Sequence, residues 1–203
     1  MAAPVGLDRQ AVVDAAVALV DGAGRVDAVS LRRVAESLGV RTQSLYAHVD
    51  GLADLRRAIA VVALEQLAGE LSDAAIGRSG PDAVAGIVRA YVGFAQAHPG
   101  LYDATLVPPG DDPALGSAMA AVGRPLNLVF RSYALDDVAA LHWYRIVFAS
   151  IHGFSLMRRD GLLTMPVDPE ETLEGMITMF VRELSLAAGG GSPATTKGAA
   201  TRT

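Results

Sequence analysis

The side chains of this sequence that are best suited to molecular recognition lie close together near residue 45. They are an arginine, a threonine, a glutamine, a serine, a tyrosine and a histidine, at Arg41, Thr42, Gln43, Ser44, Tyr46 and His48. Such groups bind base edges and phosphate oxygens, because together they donate and accept hydrogen bonds. We expect the first four at base edges and nearby phosphates of duplex DNA, and the last two, joined by Arg32, on its backbone.

Two short helices joined by a tight turn would present this cluster to solvent. The first helix has apolar residues at helical spacing, at Leu31, Val34, Ala35 and Leu38. Ser30 is a natural N-cap before it, and Gly39 permits the left-handed backbone that ends many helices. Val40 and Leu45 then close a small core from the second helix. This arrangement is typical of a helix-turn-helix unit.

A third helix is predicted upstream of this pair. It begins at Asp8, has Leu7 and Val12 placed as a hydrophobic staple, and runs to about Gly22. The alternative interpretation of residues 30–49 is an ordinary helical hairpin with solvated arginines, since short amphipathic helices are common. The additional helix favours the helix-turn-helix interpretation, because DNA-binding units of this kind are built on a supporting helix.

Residues 7 to about 60 resemble the DNA-binding domain of the TetR family of bacterial one-component repressors. The matching residues are Ser30, Leu31, Arg32, Val34, Ala35, Leu38, Gly39, Val40, Ser44, Leu45, Tyr46, His48, Val49 and Leu55. The resemblance implies that a recognition helix at 42–48 enters the major groove. It also implies dimerisation through the last two helices and an inducer bound inside the C-terminal helical body.

The sequence departs from the family pattern at two places. Arg41 stands where many members carry Ser or Thr, so the cap of the recognition helix is expected to shift by one residue. Gly51 and Leu52 stand where members commonly carry Asn-Lys, so the phosphate contact of that lysine is missing or moved. Asp50 and Asp54 would oppose a phosphate at the start of the next helix.

Composition restricts the class of protein. The 203 residues are 51% hydrophobic and 19% charged, with no 20-residue apolar run, which argues against disorder and against membrane spanning. There is no cysteine, so disulfides, thiolate metal sites and cysteine nucleophiles are excluded. The N-terminus has no signal-peptide pattern, and we expect a cytoplasmic protein.

The net charge of −5 does not exclude a DNA partner, because the charge is unevenly distributed. Residues 1–60 contain seven arginines and seven acidic residues, so the negative excess belongs to the remainder. Within 31–48 there are three arginines and one glutamate. The positive charge is therefore modest and lies where DNA would bind.

The chain beyond residue 60 predicts helices only. They are expected at about 52–72, from Pro81 to His98, at 101–106, at 113–133 with a kink or break near Gly123 and Pro125, at 136–160 and at 168–188. The predicted fold class is all-α with about nine helices. We expect a helix-turn-helix DNA-binding domain at 7–55, a ligand-binding and dimerisation domain at 56–188, and a disordered tail at 189–203.

The last two helices have more apolar surface than one chain can cover. The helix at 136–160 is apolar on nearly every side. The helix at 168–188 has a clear start, with Asp168 as N-cap and Pro169 at the first helical position. A homodimer in which both helices pair with their twofold mates as a four-helix bundle would bury this surface.

Six polar or aromatic side chains are candidates for lining an effector cavity. They are Tyr91, Phe94, His142, Arg145, Phe148 and His152. Helical spacing turns them inward, and an apolar cavity with a few polar groups suits a small molecule. For any single one of them the alternative is a core aromatic, or a histidine satisfied by a neighbouring carbonyl.

Enzymatic chemistry is not expected from this sequence. It lacks a phosphate-binding glycine loop, HExxH and GxSxG, and His142 and His152 would lie about 15 Å apart on one helix, too far to share a metal. We predict, without metal or cofactor, a repressor that binds a pseudo-palindromic operator as a homodimer and is released by a small-molecule effector. The alternative is a helical small-molecule-binding protein without DNA binding, consistent with Leu52 in place of lysine.

Overall fold

The computed structural model describes residues 6–133 and 135–189. Over these residues the chain forms nine α-helices and one short 3-10 helix, Val26–Ala28, with no strand. The α-helices are α1 (Arg9–Ala23), α2 (Leu31–Leu38), α3 (Thr42–Leu45), α4 (Leu52–Ala75), α5 (Gly80–Ala97), α6 (Pro99–Ala104), α7 (Pro113–Arg131), α8 (Asp137–Arg159) and α9 (Pro169–Gly189). The all-α prediction is confirmed, and no described helix is both long and apolar enough to cross a bilayer.

The turn between α2 and α3 forms as the residue types predict. The Ser30 hydroxyl accepts a hydrogen bond from the backbone N–H of Arg33 at 3.3 Å, which caps α2. Gly39 has a φ of 67°, and the N–H of Val40 donates to the Ala35 carbonyl at 3.0 Å. These bonds satisfy groups that the helix ends would otherwise leave unpaired. Leu45 is fully buried beneath the turn.

Helix α3 is shorter than the predicted 42–48. Regular α-helix ends at Leu45, and residues 46–48 form a turn. In that turn the N–H of His48 and the N–H of Val49 both donate to the Leu45 carbonyl, at 2.9 and 3.0 Å. The chain then enters α4 through Gly51, whose φ of 94° suits glycine. Because these turns follow Leu45 directly, α3 contains only about one regular helical turn.

Helix α4 belongs to both units of the chain. It runs without interruption from Leu52 to Ala75, so the predicted boundary between residues 55 and 56 lies inside one helix. It contacts α1 as well as α5 and α7. Its buried residues, from Leu55 to Leu71, therefore form one core with both the N-terminal and the C-terminal helices.

Helix α7 continues through Pro125, where the sequence predicts a kink or a break into two pieces. A proline removes one backbone hydrogen bond, and burial of the residues on both sides can outweigh that loss. Val122 and Leu126 are both buried. Gly123 leaves space for Tyr144 of α8, whose hydroxyl oxygen would lie 3.2 Å from a Cβ at residue 123.

The final helices begin where their capping residues predict. The Asp136 carboxylate accepts from the N–H of Ala139 at 2.8 Å, and the Asp168 carboxylate accepts from the N–H of Glu170 at 2.9 Å. Helix α9 extends to Gly189, one residue into the predicted tail. The rest of that tail, residues 190–203, lies outside the described residues.

A backbone contact between α6 and the end of α1 joins the two units. A Cβ at Gly100 would collide with the carbonyl oxygen of Val20 and would lie 2.9 Å from the backbone nitrogen of Arg25. Only glycine permits this approach, because backbone atoms cannot rotate away as a flexible side chain can.

We expect Gly100→Ala to lower the free energy of unfolding by about 1–3 kcal/mol, because the added methyl group forces the two helices apart. Urea denaturation followed by circular dichroism measures the change. Gly93→Ala in α5 is the control, since a Cβ there has no neighbour within 4 Å. The control should be neutral or more stable by about 0.5–1 kcal/mol. If Gly100→Ala and Gly93→Ala had the same free energy of unfolding, the close backbone contact at Gly100 would be contradicted.

Candidate nucleic-acid interface and ligand cavity

The outer face of α3 and the turn after it is exposed to solvent. Tyr46 is 59% exposed, and Gln43 and Ser44 are exposed beside it. Thr42 and His48 are half-buried at the two ends of this surface. The structure therefore brings together the predicted DNA-contacting residues of this stretch on one side of the helix-turn-helix unit.

Arg41 immediately precedes α3 in an extended conformation, with φ −80° and ψ 146°. Its exposed side chain makes no capping hydrogen bond to the helix. The predicted shift of the cap by one residue is therefore wrong: Arg41 itself is the N-cap position, and the first amides of α3 have no side-chain cap. Exposed amide N–H groups beside a guanidinium are suited to binding phosphate oxygens.

Arg32 on α2 forms an ion pair on the protein surface. Its Nε lies 2.7 Å from a carboxylate oxygen of Glu36, one helical turn away. Both side chains are more than half exposed. Exposed pairs of this kind contribute little to stability, so the guanidinium can exchange Glu36 for a phosphate at small cost.

The turn after α3 is held by Arg9 and Asp54. The Arg9 guanidinium donates two hydrogen bonds to the Asp54 carboxylate, at 2.8 and 2.9 Å, and a third to the His48 carbonyl at 2.8 Å. The same carboxylate accepts from the N–H of Asp50 at 3.0 Å. The hydrogen bonds from Arg9, then that from Asp50, lower the pKa of Asp54 from 3.8 to about 2. We call these residues the Arg9–Asp54 clamp.

No pattern in the sequence indicates this clamp. Arg9 and Asp54 each occupy the first turn of a helix, where a charged residue is unremarkable, and 45 positions separate them. From the sequence, Asp54 is expected only to oppose a phosphate at the start of α4. In the structure its charge is satisfied by Arg9, which fixes the turn that carries Tyr46 and His48.

A partly enclosed cavity of about 280 Å³ lies in the C-terminal helical body. Its walls come from α4, α5, α7, α8 and the segment after α6. The lining residues are Leu64, Leu67, Tyr91, Thr105, Leu106, Val107, Met119, Val122, Tyr144, Phe148 and His152. Apolar and aromatic groups dominate this lining, as in many small-molecule sites.

Two tyrosines and a histidine form a hydrogen-bonded group that we call the cavity corner: Tyr91 and His152 line the cavity, and Tyr102 is fully buried behind them. The Tyr102 hydroxyl lies 2.7 Å from Nδ1 of His152, and the Tyr91 hydroxyl lies 3.2 Å from the same nitrogen and 3.3 Å from the Tyr102 oxygen. Burial lowers the pKa of His152, and the positive charge of Arg159 lowers it further. The neutral form of the imidazole therefore predominates at pH 7.

The predicted cavity residues occupy three different places. Tyr91, Phe148 and His152 line the cavity. Phe94 is fully buried, with its ring 5.3 Å from that of His98. His142 and Arg145 are exposed on the outer surface of α8, since they lie on the side of the helix opposite to Val147.

Two aromatic residues at this place were not among the sequence candidates: Tyr144, which lines the cavity, and Tyr102, which is buried behind the lining. Tyr144 precedes Phe148 by four residues and His152 by eight, so helical spacing alone places all three on one face. Tyr102 carries no such signal, because it lies on the short helix α6, whose orientation depends on its neighbours.

Helix α6 connects the cavity to the helix-turn-helix unit. Tyr102 belongs to the cavity corner, whereas the next residue, Asp103, accepts a hydrogen bond from the backbone N–H of Val26 at 3.0 Å. Asp103 also pairs with Arg159 of α8 at 3.2 Å. If α6 moved, its hydrogen bond to Val26 would therefore pass the movement to the segment between α1 and α2.

An exposed helix-turn-helix surface joined to a helical body with an apolar cavity is typical of one-component transcriptional regulators. Residues 84–180 match the family described as tetracyclin repressor-like, C-terminal domain. Over 191 residues the chain is 33% identical to the uncharacterised HTH-type transcriptional regulator Rv0681 of Mycobacterium tuberculosis, a match that covers 93% of this chain and 84% of that protein. This chain belongs to the TetR family of transcriptional regulators.

A second relative agrees with that assignment, and a solved structure shares the fold. The uncharacterised HTH-type transcriptional regulator YobS of Bacillus subtilis is 30% identical over 184 residues, covering 91% of this chain and 96% of that protein. The TetR family protein ActR of Streptomyces coelicolor in complex with (S)-DNPA has the same fold, with a TM-score of 0.65 and 20% identity. That alignment covers 91% of this chain and 100% of ActR.

The Arg9–Asp54 clamp should make stability depend on pH. Because the pKa of Asp54 is lowered on folding, its stabilisation is complete above about pH 4 and is lost as the pH falls towards 2. We expect Asp54→Asn to be less stable than the parent by about 1–2 kcal/mol at pH 7, after allowing for the exposure of Arg9.

Urea denaturation between pH 3 and pH 7 tests this expectation. The difference in the free energy of unfolding between the parent and Asp54→Asn should become smaller as the pH is lowered from 5 to 3. Asp73→Asn, at an exposed carboxylate near the other end of α4, is the control and should show no such narrowing. A difference for Asp54→Asn that is constant over the whole range would show that the ionised carboxylate does not stabilise the clamp.

Proposed function

We propose that this chain is a ligand-responsive repressor that acts on chromosomal DNA in the cytoplasm. Its homodimer binds a pseudo-palindromic operator through two helix-turn-helix units, and a small molecule in the cavity releases it. The exposed surface of α3 carries this proposal. Gln43 and Tyr46 face solvent while Leu45 and Val49 anchor the same segment in the core.

The local charge and chemistry of the helix-turn-helix unit support DNA as the partner. Arg41, Thr42, Gln43 and Ser44 lie at the start of α3, where they can reach base edges and nearby phosphates. Tyr46, His48 and Arg32 are placed for the DNA backbone. A twofold dimer would set two such surfaces about 34 Å apart, in successive major grooves.

The outer surfaces of α8 and α9 support the homodimer. Apolar side chains remain exposed on both helices, at Val138, Leu141, Ile146, Met157, Met179 and Leu186. His142 and Arg145 share the α8 part of this surface. Large exposed apolar areas commonly mark protein interfaces, and a four-helix bundle with the twofold mates would bury this one.

The position of α6 supports a route from ligand to DNA. Tyr102 belongs to the cavity corner, and Gly100 and Asp103 of the same helix hold the end of α1 and the turn after it. A ligand that shifts Tyr102 would change the orientation of the helix-turn-helix units in the dimer. The change cannot exceed the difference in ligand affinity between the two dimer geometries.

An electrophoretic mobility shift with DNA from the promoters beside its own gene tests the proposal. A repressor homodimer should retain specific fragments and lose affinity steeply as salt is raised, because bound phosphates release counterions. A protein that binds small molecules but retains no fragment at any salt concentration would instead be a helical binding protein without DNA binding.

Arg41→Ala should reduce operator affinity by about 1–3 kcal/mol and relax the preference at one base position, if the guanidinium reads a base. Arg131→Ala, at an exposed arginine that ends α7, is the control and should leave affinity unchanged. Selection of bound fragments from random DNA, repeated with each variant, measures both effects. An equal loss on all sequences would assign Arg41 to a phosphate instead.

Ile146→Glu and Met179→Glu should convert the dimer to a monomer, because each places a charge in an apolar interface. Sedimentation velocity gives the mass, and operator binding should be lost with the dimer. Ile76→Glu is the control, since Ile76 is an apolar residue just beyond α4 that is even more exposed, at 72% against 47% for Ile146 and 46% for Met179. A parent protein that sediments as a monomer at micromolar concentration would contradict the proposed assembly.

A further inference from the structure

We infer that the cavity takes a small, neutral, largely aromatic ligand with one hydrogen-bond acceptor, and that the Nε2–H group of His152 donates to that acceptor. The inference rests on the proposed function only in treating this cavity as the effector site. It specifies the chemical class of the effector, which the fold alone leaves open.

The charge of the lining favours a neutral ligand. Within the described part of the chain, the cavity is lined by no acidic or basic side chain apart from the neutral His152. Arg159 is the nearby cation, and it is already paired with Asp103 at 3.2 Å and with Asp160 at 2.8 Å. A carboxylate or ammonium in the cavity would lose its hydration without gaining a counter-charge.

The shape of the lining favours an aromatic ligand. The rings of Tyr144, Phe148 and His152 follow one another along α8, with centroids 5.6 and 5.9 Å apart and planes within 15° and 6° of parallel. Tyr91 meets Phe148 edge to face at 5.6 Å. Flat ring faces and ring edges favour planar ligands, and a volume of about 280 Å³ limits them to a few rings.

The hydrogen bonds of the cavity corner favour an acceptor on the ligand. Nδ1 of His152 lies 2.7 Å from the Tyr102 hydroxyl oxygen. We assign the hydroxyl as the donor, because a phenol O–H is a stronger hydrogen-bond donor than a neutral imidazole N–H, and an imidazole nitrogen is a stronger acceptor than a phenol oxygen. A neutral imidazole that accepts at Nδ1 carries its proton on Nε2. The described residues give Nε2 no hydrogen-bond partner, and His152 itself lines the cavity. A ligand carbonyl would supply the missing acceptor.

A second depression on the protein is bordered by positive charge, unlike the cavity, and can be compared with it. It measures about 310 Å³, lies between α4, α5 and α7, and is bordered by Arg78 and Arg124. An anionic aromatic molecule is better suited to that depression than to the cavity. The two places can be distinguished by substitution.

Calorimetry with three matched probes tests the inference. The probes are 1-acetylnaphthalene, which is neutral with an acceptor, 1-ethylnaphthalene, which lacks the acceptor, and 1-naphthoate, which is anionic. We expect the ketone to bind about 3- to 10-fold more tightly than the hydrocarbon, the value of one net hydrogen bond. We expect it to bind at least about 10-fold more tightly than the carboxylate, which must be desolvated.

His152→Phe should abolish the preference for the ketone over the hydrocarbon while the hydrocarbon still binds. Because this change leaves the Tyr102 hydroxyl without an acceptor, the double variant His152→Phe with Tyr102→Phe removes both partners and guards against a folding defect. Arg78→Ala combined with Arg124→Ala is the control and should leave ketone binding unchanged.

Three results would overturn the inference. These are no detectable binding of any probe, an equal or higher affinity for 1-naphthoate, and a ketone preference that survives both His152 variants. Mobility shifts with DNA in the absence of probe are measured in parallel. DNA binding without ketone preference would refute this inference alone, whereas ketone preference without DNA binding would refute the proposed function alone.

Discussion

The backbone contact between α6 and the end of α1 is the constraint on which the rest of the structure depends. With no side chain at Gly100, the short helix approaches Val20 until backbone meets backbone. Asp103 adds a hydrogen bond to Val26 from the same helix. Tyr102 of the same helix lies 2.7 Å from Nδ1 of His152, which lines the cavity. The six residues of α6 therefore connect the cavity to the helix-turn-helix unit.

Helix α8 has apolar residues on three faces with different surroundings. Val147 and Ile151 are fully buried against the helical body. The face with Phe148 and His152 lines the cavity, and the face with Leu141 is exposed in the single chain. A helix with an apolar pattern on nearly every side therefore has a core face, a face that lines the cavity and an exposed face.

Features that depend on residues a few positions apart could be predicted from the sequence. The N-caps at Ser30, Asp136 and Asp168 and the left-handed turn at Gly39 all form as expected, because each is made by groups within five residues. The continuous helix through Pro125 could not be predicted. It depends on burial by neighbouring helices, which outweighs a local preference to break.

In the candidate sites, too, some features follow from the local sequence and others from the packing of whole helices. Residue types and spacing by themselves determined the helix-turn-helix unit and the outward side of α3, since periodicity and turn chemistry act over short stretches. Only the tertiary structure decided that Arg9 reaches Asp54, that Tyr102 joins His152, and that His142 lies outside the cavity. These outcomes depend on how whole helices pack and rotate against one another, which is set by contacts between residues far apart in the chain.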